Sequence, residues 1–339
     1  MASSVVVFYK IATTCLLILV GFLVRRMKIL PENSVTFISK YMVFMALPAY
    51  LIYYMPASIS PEMMADYWYY PLVGAFLAAV LDVFGFVTAK VWAQPGERAT
   101  FRMLVAFSNW VFMALAVCEP LFRADGIRMV LLYNIGIMFY FWTFGMTGFR
   151  PAVGFGEVVK KLFVNTQTVA MMLGLVVSLA LPVVNGLEKL GAAGLAELPI
   201  YTGLLAPVWE TIYLIGSTAM PLAILQIGLL LGGPKPEAGK SDTKSLVIVS
   251  VLRLIAAPVL MLAVQAVLFR FGILVNRAEF VASVIIMAMP AATLCFTVAE
   301  VHGGAGRLAA RSVLWTTVAS LFTAPVATWM AETVYHALL

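Results

Sequence analysis

The chain has 339 residues, of which 63% are hydrophobic and 11% are charged, and its mean hydropathy is +0.99. This composition excludes a water-soluble globular protein, in which about 25% of residues are charged. A net charge of +6 could suggest a nucleic-acid partner, but the basic residues lie in short loops between apolar segments. We therefore predict an all-α polytopic membrane protein that binds no nucleic acid.

Apolar segments of about 20 residues are long enough to cross a bilayer as helices. A window of that length finds ten candidate spans, and the first is predicted to be a retained helix because it lacks a basic leader and a cleavage site. In chain order the spans are Val5–Val24, Phe37–Met55, Tyr69–Val91, Met103–Phe122, Val130–Phe149, Thr168–Val184, Val208–Leu231, Leu246–Phe269, Phe280–Ala299 and Val313–Val334.

The basic residues predict the orientation of the chain. Of 22 Lys and Arg, fourteen fall in the loops on one side, five in the opposite loops and three within spans. The side with fourteen is predicted to be cytoplasmic, which places both termini outside the cell. We expect a multi-pass protein of the cytoplasmic (inner) membrane.

Ten spans with both ends outside make the first and sixth spans run in opposite directions, as an inverted repeat of five plus five helices requires. The motifs ALPAYL and AMPLAIL place Pro48 and Pro221 in similar settings, one in each half, as candidate helix breaks. We predict three parts, namely a first repeat at 1–150, a cytoplasmic linker at 151–167 and a second repeat at 168–339.

Two segments of the chain are polar enough to lie outside the membrane. GFGEVVKKLF, within residues 151–167, could be a short amphipathic helix on the cytoplasmic surface or a plain basic loop. Residues 232–245 are rich in Gly, Pro and charge and are predicted to form a mobile loop.

The ninth span is interrupted near its middle by Pro290. Proline removes a backbone donor and clashes with the preceding turn, so the helix must kink or unwind at membrane depth. Ala291 and Thr293 would let another backbone approach closely, and half-helix N-termini meeting there would favour an anionic ligand. The alternative is a proline kink packed against a neighbouring helix.

The fourth span carries Ser108 and Asn109 at mid-depth. An asparagine in hydrocarbon costs several kcal/mol unless it is paired, so Asn109 should face the protein interior. It could bind a ligand at an unwound segment, or it could tie two helices together. Asn134 and Gln226 also lie deep in their spans and are predicted to flank the same site.

Two ionisable residues within spans are candidates for ion coupling. Asp82 could carry a coupling proton, or it could pair with a basic residue such as Lys10 or Arg253. Arg253 could attract a carboxylate substrate, but its place near the inner end of its span favours a side chain that reaches the cytoplasmic surface.

Motifs of enzymes are absent from the sequence, which contains no HExxH, P-loop or GxSxG. Glu300 and His302 are spaced poorly for a metal and are interpreted as the end of a helix before the Gly303-Gly304 turn. We predict that the protein is not an enzyme and has neither a cofactor nor a metal site.

Four blocks of sequence, taken together and in order, resemble the auxin efflux carrier family of secondary transporters, whose bacterial members include organic-acid carriers of the malonate and malate type. They are GFLVRRMKILPENSVTFISKYMVFMALPAYL, GSTAMPLAILQIGLLLG, RLIAAPVLML and MAMPAATLCFTVAEVHGGAGRLAARSVLWTTVASLFTAPV. The resemblance implies two inverted five-helix repeats with crossed, unwound fourth and ninth helices, as in bile-acid symporters and sodium/proton antiporters. It also implies an elevator movement and a homodimer.

Asn109 and Pro290 match the polar residue and the proline of that family's crossing. The chain departs from the plant auxin carriers at Ala116, where they have proline, and at Met289, where they have asparagine, and it lacks their long cytoplasmic loop. We expect a secondary transporter of a small organic anion, coupled to protons, to sodium or to neither. The alternatives are a sodium/proton antiporter, a carrier of auxin-like indole acids, and a membrane receptor or scaffold that transports nothing.

Overall fold

The computed structural model describes residues 13, 16–31, 33–58, 66–149, 166–180, 200–233, 240–273 and 276–339, and these residues are almost entirely helical. The α-helices are α1 (16–26), α2 (Ser34–Tyr41), α3 (Leu47–Ser58), α4 (Tyr70–Trp92), α5 (Arg98–Ala106), α6 (Phe112–Phe122), α7 (Ala124–Thr143), α8 (Thr166–Ala180), α9 (Ile200–Ser217), α10 (Ala219–Gly232), α11 (Lys240–Val251), α12 (Ala257–Arg270), α13 (Arg277–Ala288), α14 (Thr293–Val301) and α15 (Gly306–Leu338).

Within the described ranges, five helical segments are long and apolar enough to cross a membrane. They are Tyr70–Trp92, Ala124–Gly148, Ala206–Leu229, Thr243–Arg270 and Gly306–Leu338. These five coincide with the third, fifth, seventh, eighth and tenth predicted spans. The chain is therefore a multi-pass, all-helical membrane protein, while the count of ten spans stays a prediction.

Helix α4 shows how the sequence separates the lipid from the interior. Phe76, Val83 and Val87 are exposed on one face, whereas Leu77 and Leu81 are buried on the other. In a water-soluble protein such an exposed apolar stripe would indicate an interaction surface. In a membrane protein the same stripe faces the hydrocarbon of the lipid. The exposed apolar residues are thus those expected to contact acyl chains.

Small residues set the distance between α4 and α7. A Cβ atom at Gly136 would lie 1.7 Å from the carbonyl oxygen of Pro71, and one at Gly74 would lie 2.9 Å from that of Tyr133. Helices in membranes associate through close packing of this kind because lipid gives no hydrophobic driving force between them. The pair α4 and α7 is therefore held at a separation that only glycine permits.

Two π-helical segments, Met42–Ala46 and Leu252–Ala256, interrupt otherwise continuous helices. The N–H of Leu47 donates to the carbonyl of Met42, five residues back, one residue before Pro48. The wider π-helical turn accommodates the missing N–H of Pro48 without ending the helix, so the chain stays helical from α2 to the end of α3. Pro48 therefore does not break its helix, contrary to the prediction.

The segment predicted as a mobile loop is partly helical. Helix α11 begins at Lys240, inside residues 232–245. The Ser245 hydroxyl donates to the buried carboxylate of Glu97 over 3.0 Å, and the Lys244 ammonium lies 4.4 Å from the centre of the Trp92 ring. These contacts hold Lys244 and Ser245 against the end of α4 and the turn that precedes α5. Residues 234–239 and the linker residues 151–165 lie outside the described residues.

Candidate functional site

The fourth and ninth spans are both interrupted at mid-length. Helix α5 ends at Ala106 and α6 begins at Phe112, while α13 ends at Ala288 and α14 begins at Thr293. Phe107, Met289 and Ala292 at the edges of these interruptions adopt extended backbone conformations, with φ of −114° and ψ of 116° at Phe107. Each interruption therefore exposes backbone donors and acceptors that the helix no longer satisfies.

The two interruptions pair with each other. Ser108 and Ala291 form an isolated antiparallel bridge. The N–H of Asn109 donates to the carbonyl of Pro290 over 2.6 Å, and that of Ala292 donates to the carbonyl of Phe107 over 3.1 Å. Backbone that lipid could not solvate is thus satisfied by the other interrupted helix, as irregular structure at membrane depth requires.

Side chains from both sides of the pairing secure it further. The Ser108 hydroxyl donates to the carbonyl of Ile286 over 3.1 Å. The N–H of Ala291 donates over 3.1 Å to the hydroxyl of Thr316, which lies on α15 and is fully buried. The Ser108 hydroxyl, predicted as a ligand-binding group, is therefore engaged in holding the two interrupted helices together.

A cavity of about 80 Å³ opens beside the pairing. This volume is several times the roughly 10–15 Å³ that one buried water requires, so the cavity has room for a small molecule. It is lined by Met42, Leu47, Leu51, Ser108, Asn109, Trp110, Val111, Phe112, Asn134, Met138, Gln167, Ala223, Gln226, Ala292, Thr293 and Leu294. None of these sixteen described residues is charged, but six are Ser, Thr, Asn or Gln.

Asn109 is the buried lining residue whose side chain is free. It is 5% exposed, and its amide group makes no hydrogen bond to another described residue. The hydroxyl of Thr293 is likewise without a partner among the described residues. A buried amide costs free energy unless it is hydrogen-bonded, so we expect the Asn109 amide to bond to a ligand or to water in the cavity.

The N-termini of α6 and α14 both meet the cavity. Val111 precedes α6 and Ala292 precedes α14, and neither helix start is capped by a side-chain hydrogen bond. The first N–H groups of a helix lack internal acceptors and carry a partial positive charge. Two such ends on one uncharged cavity make an environment suited to an anion.

Trp110 and Asn134 form the opposite part of the wall. The indole N–H of Trp110 donates over 2.8 Å to the amide oxygen of Asn134, which leaves the Asn134 nitrogen 3.8 Å from the sulfur of Met171. Trp110 was not predicted as a site residue, although its position next to Asn109 was a signal for a role at the site. Gln167 also lines the cavity from the start of α8, although the sequence placed it in a linker.

Of the predicted site residues, the structure brings Ser108, Asn109, Asn134, Gln226 and Thr293 to the cavity. It does not bring the other two there. Pro290 and Ala291 are buried in the pairing behind the wall, where their contribution is the backbone conformation. Pro221 lies in the first turn of α10, just after the one-residue gap at Thr218 that separates α9 from α10, and it is exposed.

Asp82 is held in an ion pair by Arg102, which the sequence did not predict as its partner. Its carboxylate is 2% exposed and accepts two hydrogen bonds from the guanidinium of Arg102, one of them over 2.5 Å from Nε. The Tyr140 hydroxyl donates to the same carboxylate over 2.9 Å. Asp82 is thus paired with a basic residue, as one of the two alternatives predicted, but the partner is Arg102 and not Arg253. The other suggested partner, Lys10, lies outside the described residues.

Arg253 does not reach the cytoplasmic surface, and the expectation that it would is wrong. Its side chain is fully buried, and it does not line the cavity. The guanidinium donates to the backbone carbonyls of Val105, Ala106 and Met287. These carbonyls, at the ends of the interrupted helices, accept from both terminal nitrogens of the guanidinium, while its buried Nε has no hydrogen-bond partner among the described residues.

A second hollow, of about 380 Å³, lies between α12 and α15. Its lining is aliphatic and aromatic apart from Thr323, so it offers no groups that would orient a polar ligand. Among the described residues no group of three or more His, Cys, Asp and Glu could hold a metal ion. The cavity beside Asn109 is therefore the candidate site.

Two interrupted helices that pair inside a multi-pass helical protein, with a small polar cavity at their ends, are characteristic of membrane transporters. Comparison with protein families agrees with this class. The model of the family described as membrane transport protein matches residues 6–155 and 153–328. The chain belongs to this family, that of the auxin efflux carriers, as its sequence motifs predict. Comparison with curated proteins gives no significant match.

Proposed function

We propose that this transporter is a secondary active carrier of a small organic anion and that the anion binds in the cavity beside Asn109. The observation that carries the proposal is the free, buried amide of Asn109 between the uncapped N-termini of α6 and α14. The amide N–H and the helix-end N–H groups all donate, and a carboxylate accepts several such bonds.

The size and polarity of the cavity support a small carboxylate. A volume of about 80 Å³ suits a short mono- or dicarboxylate better than an indole acid. The lining residues supply apolar walls from Met42, Leu47 and Leu51 and polar groups from Gln167 and Gln226. Binding sites for small molecules commonly combine apolar walls with a few orienting polar groups.

A sodium/proton antiporter has less support. Such a carrier needs a carboxylate that exchanges its proton or ion at the site. No acidic residue lines the cavity among the described residues, and Asp82 is occupied by Arg102 and Tyr140. A receptor or scaffold has no feature among the described residues that favours it over transport.

The proposal includes the movement that transport requires. The ten predicted spans form two inverted five-helix repeats, the fourth and ninth cross at the pairing of Ser108 with Ala291, and the crossed helices move as a rigid unit in an elevator motion. The pairing supports this part, because its hydrogen bonds join the two interrupted helices into one body. We also propose a homodimer, which the family resemblance implies and which cross-linking in membranes would test.

Uptake by proteoliposomes tests the proposal directly. Labelled dicarboxylates, monocarboxylates and indole acids are offered with sodium and pH gradients imposed separately. We expect a small carboxylate to be taken up, Asn109→Ala to weaken its binding about tenfold, as loss of one bond to a charged group predicts, and Asn109→Asp to abolish binding by charge repulsion.

The matched control is Asn33→Ala, since Asn33 is exposed in the turn before α2. It should transport like the unmodified protein. Equal transport by correctly folded Asn109→Ala and Asn33→Ala proteins would contradict the proposed site. Uptake of none of the three classes of acid would contradict the proposed substrate.

A further inference from the structure

Arg253 is the largest fully buried side chain in the described part of the chain, and the site described above does not use it. It lies in the π-helical segment Leu252–Ala256, where the N–H of Ala257 donates to the carbonyl of Leu252, five residues back. Such segments re-aim side chains and recur at functional sites. Here Arg253 and Leu254 point inward, while Val251 and Ile255 are exposed.

The guanidinium joins the C-terminal ends of both interrupted helices. One nitrogen donates to the carbonyls of Val105 and Ala106 over 3.0 and 3.2 Å, at the end of α5. The other donates to the carbonyl of Met287 over 2.5 Å, at the end of α13. The last four carbonyls of a helix have no internal donor, so Arg253 supplies three of the missing bonds.

The charge of Arg253 is balanced by these helix ends. No carboxylate among the described residues pairs with it. Each helix C-terminus carries about −0.5 of an elementary charge, so two ends together offset roughly one positive charge. Burying a cation without a counter-charge costs a large amount of free energy. Arg253 can therefore be buried here because the C-termini of two helices converge on it.

The same arrangement defines a cation site. In carriers with interrupted helices, carbonyls and half-helix C-termini coordinate the coupling cation, while the N-termini face an anionic substrate. In this chain the N-termini of α6 and α14 face the cavity, and the C-termini of α5 and α13 face Arg253. A guanidinium thus stands where such a carrier would hold a sodium ion.

We propose that Arg253 is a built-in cation that takes the position of a coupling sodium ion at the C-termini of α5 and α13, so that transport is independent of sodium. This inference rests on the proposed function, because coupling has meaning only for a secondary transporter. The positive charge remains in place through the transport cycle and keeps the two helix ends together without an ion from solution.

Thermal unfolding of the purified protein tests the inference without knowledge of the substrate. Melting temperatures are compared in sodium chloride and in choline chloride at equal ionic strength. The unmodified protein should melt at the same temperature in both salts. In choline chloride, Arg253→Ala should have a melting temperature about 5 °C or more below that of the unmodified protein. In sodium chloride, part of this loss should be recovered, with an effect that saturates as the sodium concentration rises, because a sodium ion can enter the vacated site.

Two further variants keep the test decisive. Arg253→Lys retains a cation, so its melting temperature should not depend on sodium. That temperature should lie between those of the unmodified protein and Arg253→Ala. Arg270→Ala removes an exposed arginine at the end of α12 and should behave like the unmodified protein in both salts. If Arg253→Ala fails to fold, the unmodified and Arg253→Lys proteins still decide the question.

Saturable stabilisation of the unmodified protein by sodium would overturn the inference, and so would an Arg253→Ala protein that sodium does not stabilise. Neither result bears on anion binding beside Asn109. Conversely, an Asn109→Ala protein with unchanged transport would contradict the proposed substrate site and leave the sodium result standing. The two failures are therefore distinguishable.

Discussion

Asn109 and Pro290 are joined by a backbone hydrogen bond of 2.6 Å that runs from the N–H of Asn109 to the carbonyl of Pro290. The bond links two helices that are both interrupted at this point. Because neither lipid nor the helices themselves can satisfy these groups, each interruption depends on the other. The same bond fixes the backbone of Asn109, whose amide then meets the cavity.

The buried hydroxyl of Thr316 should be needed for the pairing. It accepts the hydrogen bond from the N–H of Ala291, so Thr316→Val leaves a buried donor unsatisfied and should lower the free energy of unfolding by about 1–3 kcal/mol. The control is Thr317→Val, since the Thr317 hydroxyl is equally buried but bonds only to its own helix at Val313. Unfolding in detergent measures both, and equal losses would contradict the role of Thr316.

The ion pair between Asp82 and Arg102 should be structural. Asp82→Asn leaves a largely buried guanidinium without its counter-charge, and we expect it to destabilise the protein by about 3 kcal/mol. Asp125→Asn is the comparison, because the pair of Asp125 with Arg128 is partly exposed and such pairs contribute about 0–1 kcal/mol. A stable Asp82→Asn protein whose transport no longer depends on pH would instead support a coupling role for Asp82.

Gly136 should not tolerate a larger side chain. Its Cβ would lie 1.7 Å from the carbonyl oxygen of Pro71, so Gly136→Ala must separate α4 from α7. We expect a loss of about 3 kcal/mol or more, which exceeds the roughly 1 kcal/mol by which alanine favours a helix over glycine. Gly96→Ala should be neutral because a Cβ there meets nothing within 4 Å. Melting temperature and the yield of monodisperse protein report both variants.

Trp110 should affect binding through Asn134. Trp110→Phe removes the indole donor that holds the Asn134 oxygen, so the amide is free to rotate in the cavity wall. We expect binding of the transported carboxylate to weaken about tenfold, while the protein stays folded. Trp315→Phe is the control, since Trp315 is exposed on α15. A Trp110→Phe protein that binds as tightly as Trp315→Phe would show that Asn134 does not need this partner.

The sequence by itself determined the class, the family and the interruption at Pro290. Hydropathy identifies spans because the bilayer thickness sets the number of apolar residues that a helix needs, and the length of an apolar run can be read directly from the sequence. Pro290 marks its interruption because proline supplies no backbone donor, although a π-helical turn accommodates the same missing donor at Pro48. Asn109 could be singled out for a similar reason, since an amide at mid-span is costly whatever surrounds it.

Only the tertiary structure decided which groups meet. Arg253 was expected at the surface because the sequence shows its depth along one helix but not the carbonyls of α5 and α13 that satisfy it. The partner of Asp82, the place of Gln167 in the cavity and the continuous helix through Pro48 were missed for the same reason. The environment of a buried polar group is created by segments far apart in the chain, whose contacts exist only once the helices have packed.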